Sequence, residues 1–177
     1  LGEILPLHRT LASDGMDQAL EIIGSYLPAS ANYKIESFVP GSEAWTWRIP
    51  ERYVVRAAYL ESEDGQRILD FNHNPLHLVS YSPPFEGTLT WEELAPHLYT
   101  SEAQPDAIPW KFKYYERDWG FCLPKTLFDS LSRSQRYHVY IDTYFDGAPQ
   151  PGFKVATALV HPPTGPAGVG ELFVMAH

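Results

Sequence analysis

The end of this 177-residue chain constrains its fold more than any other segment. Five apolar residues, 172–176, stand between Glu171 and His177, and a continuous apolar run of this kind is typical of a strand that is covered on both faces. Such strands form the central sheets of α/β enzymes, where ligands bind beyond the carboxyl ends of the strands. The pattern predicts that His177 opens a functional site and that the chain is the N-terminal part of something longer.

Composition and charge narrow the class of protein. Hydrophobic residues make up 44% of the chain and charged residues 20%, which is the balance of a globular protein. No apolar run approaches the roughly 18 residues that a membrane-spanning helix needs, and no secretory signal is visible. A net charge of -9 opposes binding to phosphate backbones. The charge and the lack of a long apolar run therefore predict neither a nucleic-acid nor a membrane partner. Because Cys122 is the single cysteine, we expect a cytoplasmic protein.

Hydrophobic periodicity predicts one clear helix near the N-terminus. Over 14–27, apolar residues recur every three or four positions, and Ser13 or Asp14 can cap the first turn. A capping box at 90–93 predicts a second, short helix, since the threonine and glutamate side chains each satisfy a backbone N–H near the other. A third short helix is predicted after Pro124, because proline is tolerated in the first helical turn.

The rest of the chain carries the period of two that is typical of strands. Asp64-Gly65 predicts a hairpin turn, because glycine tolerates the positive φ that a two-residue loop requires. The predicted strands are 33–38, 53–61, 67–71, 76–81, 110–116, 137–145, 153–160 and 172–176. A leading helix, a β-rich middle and a closing set of strands together indicate an α+β fold.

A group near residue 70 has the residue types of a metal site. Asp70, His73 and His77 have a spacing that would place them on one face of a helix. Pro75 lies between the two histidines and interrupts such a helix. A packed, hydrogen-bonded structural role is therefore the better interpretation of these residues.

Two further patterns resemble nucleophilic sites. Ser130, His138 and Asp142 are the residue types of a catalytic triad, but no Gly-x-Ser-x-Gly elbow surrounds a serine in the sequence. Cys122 lies in an apolar setting, which is typical of an inert buried thiol rather than of a nucleophile. We therefore predict no catalytic residue from these patterns.

The densest aromatic stretch is a candidate for ligand binding. Tyr114, Tyr115, Trp119 and Phe121 lie within eight positions of a chain that is 14% aromatic. Most such residues fill cores. Alternation along a strand can instead leave Tyr115 or Trp119 facing a cleft, where the ring would stack on a sugar or an apolar side chain. These two residues are the predicted substrate-binding residues.

A series of short motifs runs along nearly the whole chain. They are Arg9-Thr10 with Asp14-Gly15, Trp47-x-Ile49-Pro50, Asp70-Phe71 with Asn74-Pro75-Leu76-His77, Tyr81-Ser82-x-Pro84, His97-Leu98-Tyr99, Gln104-Pro105-Asp106-Ala107-Ile108-Pro109, Tyr114-Tyr115, Trp119-Gly120-Phe121-Cys122, and Tyr137-His138-Val139 with Ile141-Asp142. In this order they resemble a bacterial family of aminopeptidase-like proteins, often named after polysaccharide biosynthesis, within the zinc aminopeptidase and glutamate carboxypeptidase superfamily.

The resemblance implies a domain organisation. A β-rich accessory domain, similar to a lid, would be inserted between an N-terminal helix and the first strands of an α/β zinc-peptidase-like body. The implied bounds are 1–35 for the helical segment, 36–136 for the accessory domain and 137–177 for the first strands of the body, which is truncated at that point.

The resemblance also implies a reaction, the hydrolysis of an amide next to a free amine in a small peptide or amino-acid amide. His177 would be the first zinc ligand, and the carboxylates that such chemistry needs would lie beyond it. A single imidazole cannot replace a four-ligand set, so we expect this chain alone to bind zinc poorly and to be inactive. Enzyme activity is expected only of the full-length protein, for which homo-oligomers are also considered.

Two other functions remain open at this point. One is a non-catalytic β-rich binding module, for instance for a glycan, with the aromatic residues as its platform. The other is a peptidase-like scaffold that has lost its metal and serves in polysaccharide or antibiotic biosynthesis. The residues that follow His177, and the zinc content of the full-length protein, distinguish these functions from the hydrolase.

Overall fold

The computed structural model of the protein describes residues 2–149 and 152–159 as a mixed, strand-rich α/β structure with few helices. The helices are α1 (Asp14–Ser25), α2 (Trp91–Leu94) and α3 (Lys125–Ser130), with short 3₁₀ helices at Ala29–Ala31, Pro75–His77 and Ala95–His97. The strands are β1 (Lys34–Phe38), β2 (Glu43–Ala44), β3 (Trp47–Arg48), β4 (Arg52–Ser62), β5 (Arg67–Asp70), β6 (Phe85–Leu89), β7 (Leu98–Tyr99), β8 (Phe121–Cys122), β9 (Tyr137–Asp146) and β10 (Phe153–Thr157). Among the helices so described, none has the length and apolar character needed to cross a membrane. The predicted strand 172–176 and His177 lie outside the described residues.

Helix α1 begins at the residues that the sequence indicated. The Ser13 hydroxyl accepts a hydrogen bond from the N–H of Met16 at 3.2 Å, which satisfies one of the free donors of the first turn. Gly15 allows the N-terminal segment to pack directly on this turn, because a Cβ at that position would lie 2.3 Å from the carbonyl oxygen of His8. The predicted helix and its Ser13 cap are confirmed.

The main sheet has four antiparallel strands in the order β5-β4-β9-β6. The longest pairing joins β4 to β9 and runs from Arg52 opposite Asp146 to Ser62 opposite Tyr137. Strands β4 and β5 form the predicted hairpin, with Gly65 at a φ of +81° in its turn. Because β9 lies between β4 and β6, this sheet includes chain from both sides of residue 136, where the sequence analysis placed a domain boundary.

A second, two-stranded sheet joins the segment that follows α1 to the last described strand. Strand β1 pairs with β10 in antiparallel register, with Phe38 opposite Phe153. Gly152 packs tightly at this junction, since a Cβ there would lie 2.0 Å from the carbonyl oxygen of Phe38. The chain therefore leaves this two-stranded sheet after residue 38 and returns to it at residue 153. These two residues are neighbours in space.

One face of the main sheet carries the core. On β9, alternate residues are buried, as expected for a strand with one face packed and the other towards solvent. Loops after β5 and β7 cover this face and add aromatic side chains. The largest fully buried side chains include Tyr53, Leu60, Leu69, Val79, Tyr81, Leu94, Phe121, Leu123, Tyr137 and Val139.

Two predicted strands are wrong. The segment 76–81 begins within the 3₁₀ helix Pro75–His77 and then forms single bridges, one of them between Ser80 and Phe112. The segment 110–116 has no strand of its own and contributes the other half of that bridge. Both segments are rich in apolar and aromatic residues, which gives a strand-like pattern without continuous strand pairing. Val79 and Tyr81 of the first segment are buried in the core, whereas Trp110, Phe112 and Tyr115 of the second are exposed.

The short helices follow the sequence closely. The Thr90 hydroxyl accepts from the N–H of Glu93, and the Glu93 carboxylate accepts from the N–H of Thr90 at 2.8 Å, so the predicted capping box is confirmed. Pro96 lies in the turn that follows, and this turn is a 3₁₀ helix rather than a continuation of α2. Helix α3 begins directly after Pro124, as predicted.

A buried cation connects α1 to the main sheet. The side chain of Arg52, at the start of β4, is only 6% exposed and forms ion pairs with Asp14 and Asp17. Asp17 also pairs with Lys154 of β10 at 2.8 Å. A buried charge needs partners to offset its lost hydration. This ionic cluster therefore fixes α1 relative to strands of both sheets.

The buried His8 makes stability depend on pH. Its ring lies edge-on to Phe71 at a centroid distance of 5.0 Å, and burial lowers the pKa of His8 to about 4. The unfolded chain, in which the pKa is about 6.5, binds more protons between those values, so stability is present above pH 6.5 and is lost as pH falls towards 4. We expect His8 to lower the free energy of unfolding by up to about 1.4 kcal/mol per pH unit in this window.

Urea unfolding of the wild type and of a His8→Gln variant at several pH values would measure this contribution. The difference between the two free energies should decrease as pH falls from 6.5 to 4. A difference that stays constant over that range would show that His8 is not buried in its neutral form.

Candidate functional site

A cleft of about 410 Å³ lies beside the hairpin formed by β2 and β3. Two chain segments line most of it, and Tyr81 and Gly147 complete the lining. The first segment provides Pro40, Gly41, Arg48, Ile49, Pro50 and Glu51, and the second provides Tyr114, Tyr115 and Arg117. Concave sites with an apolar lining and a few polar groups are typical of ligand binding.

Tyr81 is the buried support of this cleft. Its hydroxyl donates to the carbonyl oxygen of Glu51 at 3.2 Å and accepts from the N–H of Ala12 at 3.3 Å. Its ring stacks on Tyr53 at a centroid distance of 5.0 Å. The φ of Tyr81 is +69°, which is uncommon for a bulky residue, so its packing and hydrogen bonds hold an unfavourable backbone conformation in place.

The β2–β3 hairpin is attached to the other segment of the cleft. The indole N–H of Trp47 lies within hydrogen-bonding reach of the Tyr114 hydroxyl. The Trp47 ring also packs edge-on against Phe153 at 5.3 Å. At the tip of the hairpin, Trp45 has a φ of +58° and is fully exposed. The base of the hairpin is thus fixed while its tip projects into solvent.

Tyr114 and Tyr115 give the cleft its aromatic surface. Their ring centroids are 4.1 Å apart, and the Tyr115 residue is 71% exposed. Burial and the hydrogen bond with Tyr115 both raise the pKa of Tyr114, so its hydroxyl is protonated at neutral pH. The pair therefore offers an accessible ring face beside a neutral hydroxyl group.

Charged side chains around the cleft occur in pairs of opposite sign. Arg117 forms an ion pair with Glu51, and its guanidinium lies over the Phe145 ring at 3.9 Å from the centroid. Arg48 pairs with Glu43 at 3.5 Å. Each pair combines hydrogen-bond donors with acceptors, so a ligand in the cleft meets both without a strong net charge.

The structure places the two predicted substrate-binding residues in different environments. Tyr115 lines the cleft. Trp119 is 7% exposed and lies in the core, where its ring stacks on His97 at 3.9 Å and on Phe85 at 4.5 Å. His97 also donates from Nδ1 to the Trp119 carbonyl oxygen at 3.0 Å. We therefore retain Tyr115 alone as a candidate for contact with a ligand in this cleft.

Two members of the group near residue 70, His77 and Asp70, have structural partners. His77 donates from Nδ1 to the carbonyl oxygen of Cys122 at 2.8 Å, and Asp70 accepts from Arg67 at 2.9 Å. Across residues 2–149 and 152–159, no three His, Cys, Asp or Glu side chains come together as a metal site would require. The described residues thus do not fit a zinc ion, and the predicted ligand His177 lies outside them.

The residues of the other two patterns also have structural roles. Ser130 donates to the carbonyl oxygen of Leu127 at 2.7 Å, and Asp142 on β9 lies 3.7 Å from Arg56. Cys122 is fully buried, and desolvation raises its pKa to about 11, which keeps the thiol protonated and unreactive at neutral pH. These contacts agree with the structural interpretation of all three residues.

Sequence reasoning missed most of the cleft. Glu51, Arg117 and Tyr81 were not predicted as site residues, although Tyr81 begins one of the short motifs. Glu51 and Arg117 are 66 positions apart, and their pairing depends on how two loops fold over the core. The proximity of Trp47-x-Ile49-Pro50 to Tyr114-Tyr115 could be seen only in three dimensions.

Comparisons with known proteins point to one family. A family profile described as "Domain of unknown function (DUF2172)" matches residues 52–144. A Clostridium acetobutylicum protein named "Putative polysaccharide biosynthesis protein with aminopeptidase-like domain" is 33% identical over 141 residues, which are 80% of this chain and 31% of that protein. A crystal structure of a "putative peptidase" from Clostridium acetobutylicum matches with a TM-score of 0.74 and 30% identity, over 88% of this chain and 34% of that one. The chain spans about a third of the length of each.

Proposed function

The chain belongs to the family described as a domain of unknown function (DUF2172), and we propose that it provides a substrate-binding part of a zinc-dependent, aminopeptidase-like hydrolase. The names of its relatives support a peptidase-like function in general. The proposal adds two specific points. The hydrolase depends on zinc, and its substrate is a small peptide or an amino-acid amide.

The proposal includes an inserted accessory domain. The pairing of β1 with β10 supports it, because chain that leaves one sheet and returns to it at an adjacent strand can carry an independent domain between the two points. We place β9 with this domain because it lies inside the main sheet. The accessory domain would then cover about 39–152, and α1, β1 and β10 would belong to the peptidase-like body.

The described residues would bind and orient the substrate. Tyr115 would provide ring area, and Glu51 with Arg117 would provide an acceptor and donors at fixed positions. Hydrolysis would take place at the site to which His177 belongs, where a bound zinc ion would polarise the carbonyl and activate water. We assign no reaction step to the described residues, which do not form a zinc site.

The exposure of Tyr115 in a concave surface is the observation that supports a substrate-binding role most strongly. An exposed tyrosine ring in a cleft can bury a large area on a ligand at a small cost in side-chain entropy. A core role does not account for it, since the residue is 71% exposed.

A Tyr115→Ala variant of the full-length protein tests this role. With a dipeptide amide as substrate, we expect KM to rise about tenfold, equivalent to about 1.4 kcal/mol of lost binding, while kcat changes much less. Tyr26→Ala is the matched control, because Tyr26 is 74% exposed at the end of α1 and does not line the cleft. Equal KM values for wild type and Tyr115→Ala would remove the cleft from the proposal.

A further inference from the structure

The tip of the β2–β3 hairpin exposes a tryptophan that the described fold does not account for. Trp45 is fully exposed, and its φ of +58° lies in the left-handed region. The two-residue turn between β2 and β3 requires a positive φ, so this backbone conformation follows from the hairpin. The hairpin does not require a large apolar ring at this position, and a ring in water contributes nothing to the core. The exposure of the ring is explained if it is held out for a ligand.

Exposed aromatic rings occur on both segments that form the cleft. Trp45 stands at the tip of the hairpin whose base contributes Arg48 to the lining, and Tyr115 belongs to the second segment. The line of rings continues outward from Tyr114 to Phe112, whose ring stacks on it at 5.0 Å, and to Trp110, which is also exposed. Exposed aromatic rings therefore occur on both of the segments whose residues line the cleft.

The electrostatics of the cleft select against a charged ligand. Arg117 lies beside Glu51 and Arg48 beside Glu43, so a carboxylate partly offsets the charge of each guanidinium. The net charge of -9 for the whole chain adds a repulsive field for anions. The paired groups still offer donors and acceptors to hydroxyl groups, which can act as both.

We propose that the cleft and the Trp45 tip together bind a neutral oligosaccharide. The C–H faces of its sugar rings would stack on Tyr115 and Trp45, and its hydroxyl groups would donate to Glu51 and accept from Arg117. An apolar peptide segment fits less well, because it would cover these ion pairs without replacing their bonds to water. The inference rests on the proposed role of the cleft as a substrate-binding surface, and it adds a neutral sugar, beside the peptide or amino-acid amide, to the groups that Tyr115 would contact.

Binding to an immobilised panel of neutral oligosaccharides, with no hydrolysable amide present, tests the inference on the full-length protein. The panel contains oligomers of glucose, galactose, mannose, rhamnose and N-acetylglucosamine, together with oligomers of galacturonic acid and apolar hexapeptides. We expect at least one neutral oligosaccharide to bind, with affinity about tenfold lower for Tyr115→Ala and for Trp45→Gly, and unchanged for Tyr26→Ala.

Trp45→Gly separates binding from folding, because glycine adopts a positive φ without strain and the variant should be at least as stable as the wild type. The inference is overturned if no neutral oligosaccharide binds, if the acidic oligomers or peptides bind in their place, or if both variants bind like the wild type. No amide is cleaved in this binding experiment, so a negative result does not contradict the hydrolase proposal. Likewise, a full-length protein that does not hydrolyse amides could still bind the sugar.

Discussion

Replacing Tyr81 with alanine is expected to lower the free energy of unfolding by about 4 kcal/mol, the range found when large buried aromatic side chains are truncated. Tyr81 is 2% exposed, and its ring contacts Tyr53, Tyr114 and Phe145. The substitution also removes the hydroxyl that joins Ala12 to the Glu51 carbonyl oxygen. The loss should therefore affect both the core and the position of the cleft.

Urea unfolding would measure this effect. A Tyr81→Phe variant separates the loss of the ring from the loss of the hydroxyl group. The phenylalanine variant keeps the ring and leaves the buried N–H of Ala12 without its partner, so we expect it to cost about 1–2 kcal/mol. The exposed-site control Tyr26→Ala should change stability by less than about 0.5 kcal/mol. A Tyr81→Ala variant as stable as the wild type would contradict the placement of this ring under the cleft.

Local sequence signals predicted those parts of the fold that depend on local interactions. The Ser13 cap, the box at 90–93 and the Asp64-Gly65 turn each satisfy backbone groups within a few residues, and all three are confirmed. The strands at 33–38, 53–61, 67–71 and 137–145 are also confirmed, with small shifts at their ends. Of the predicted strand 153–160, residues Phe153–Thr157 form β10, and residue 160 lies outside the described residues. Alternation of buried and exposed residues is visible in the sequence before any partner strand is known.

Features that depend on tertiary contacts were not predictable in the same way. The segments 76–81 and 110–116 are rich in apolar and aromatic residues, and such composition alone does not distinguish a loop from a strand. The left-handed conformation of Tyr81 has no local sequence signal, because glycine or asparagine would be the expected residue there.

The candidate site shows the same division. Tyr115 and Trp119 are four positions apart in one aromatic stretch, and no feature of the sequence shows which of them is exposed. The structure exposes Tyr115 in the cleft and packs Trp119 between core residues, a difference that is set by His97 and Phe85 from other parts of the chain. Arg117 was overlooked because its partners Glu51 and Phe145 come from distant segments.

Substitution of His177 is the second change for which we expect a large effect. In the full-length protein, His177→Ala should lower hydrolysis of an amino-acid amide about a hundredfold or more, because loss of a ligand weakens metal binding at least as much as loss of a residue that supports one. The zinc content per chain should fall with it. His138→Ala is a matched control, since His138 lies on β9 within the main sheet and is not a proposed ligand.

The measurement that tests the central claim most directly is the release of free amino acid from an amino-acid amide by the full-length protein, with zinc per chain determined on the same sample. The proposal predicts hydrolysis that stops when zinc is removed by a chelator and returns when zinc is restored. A full-length protein that binds no zinc and releases no amino acid would contradict it, and would leave the binding module and the metal-free scaffold as the two remaining functions.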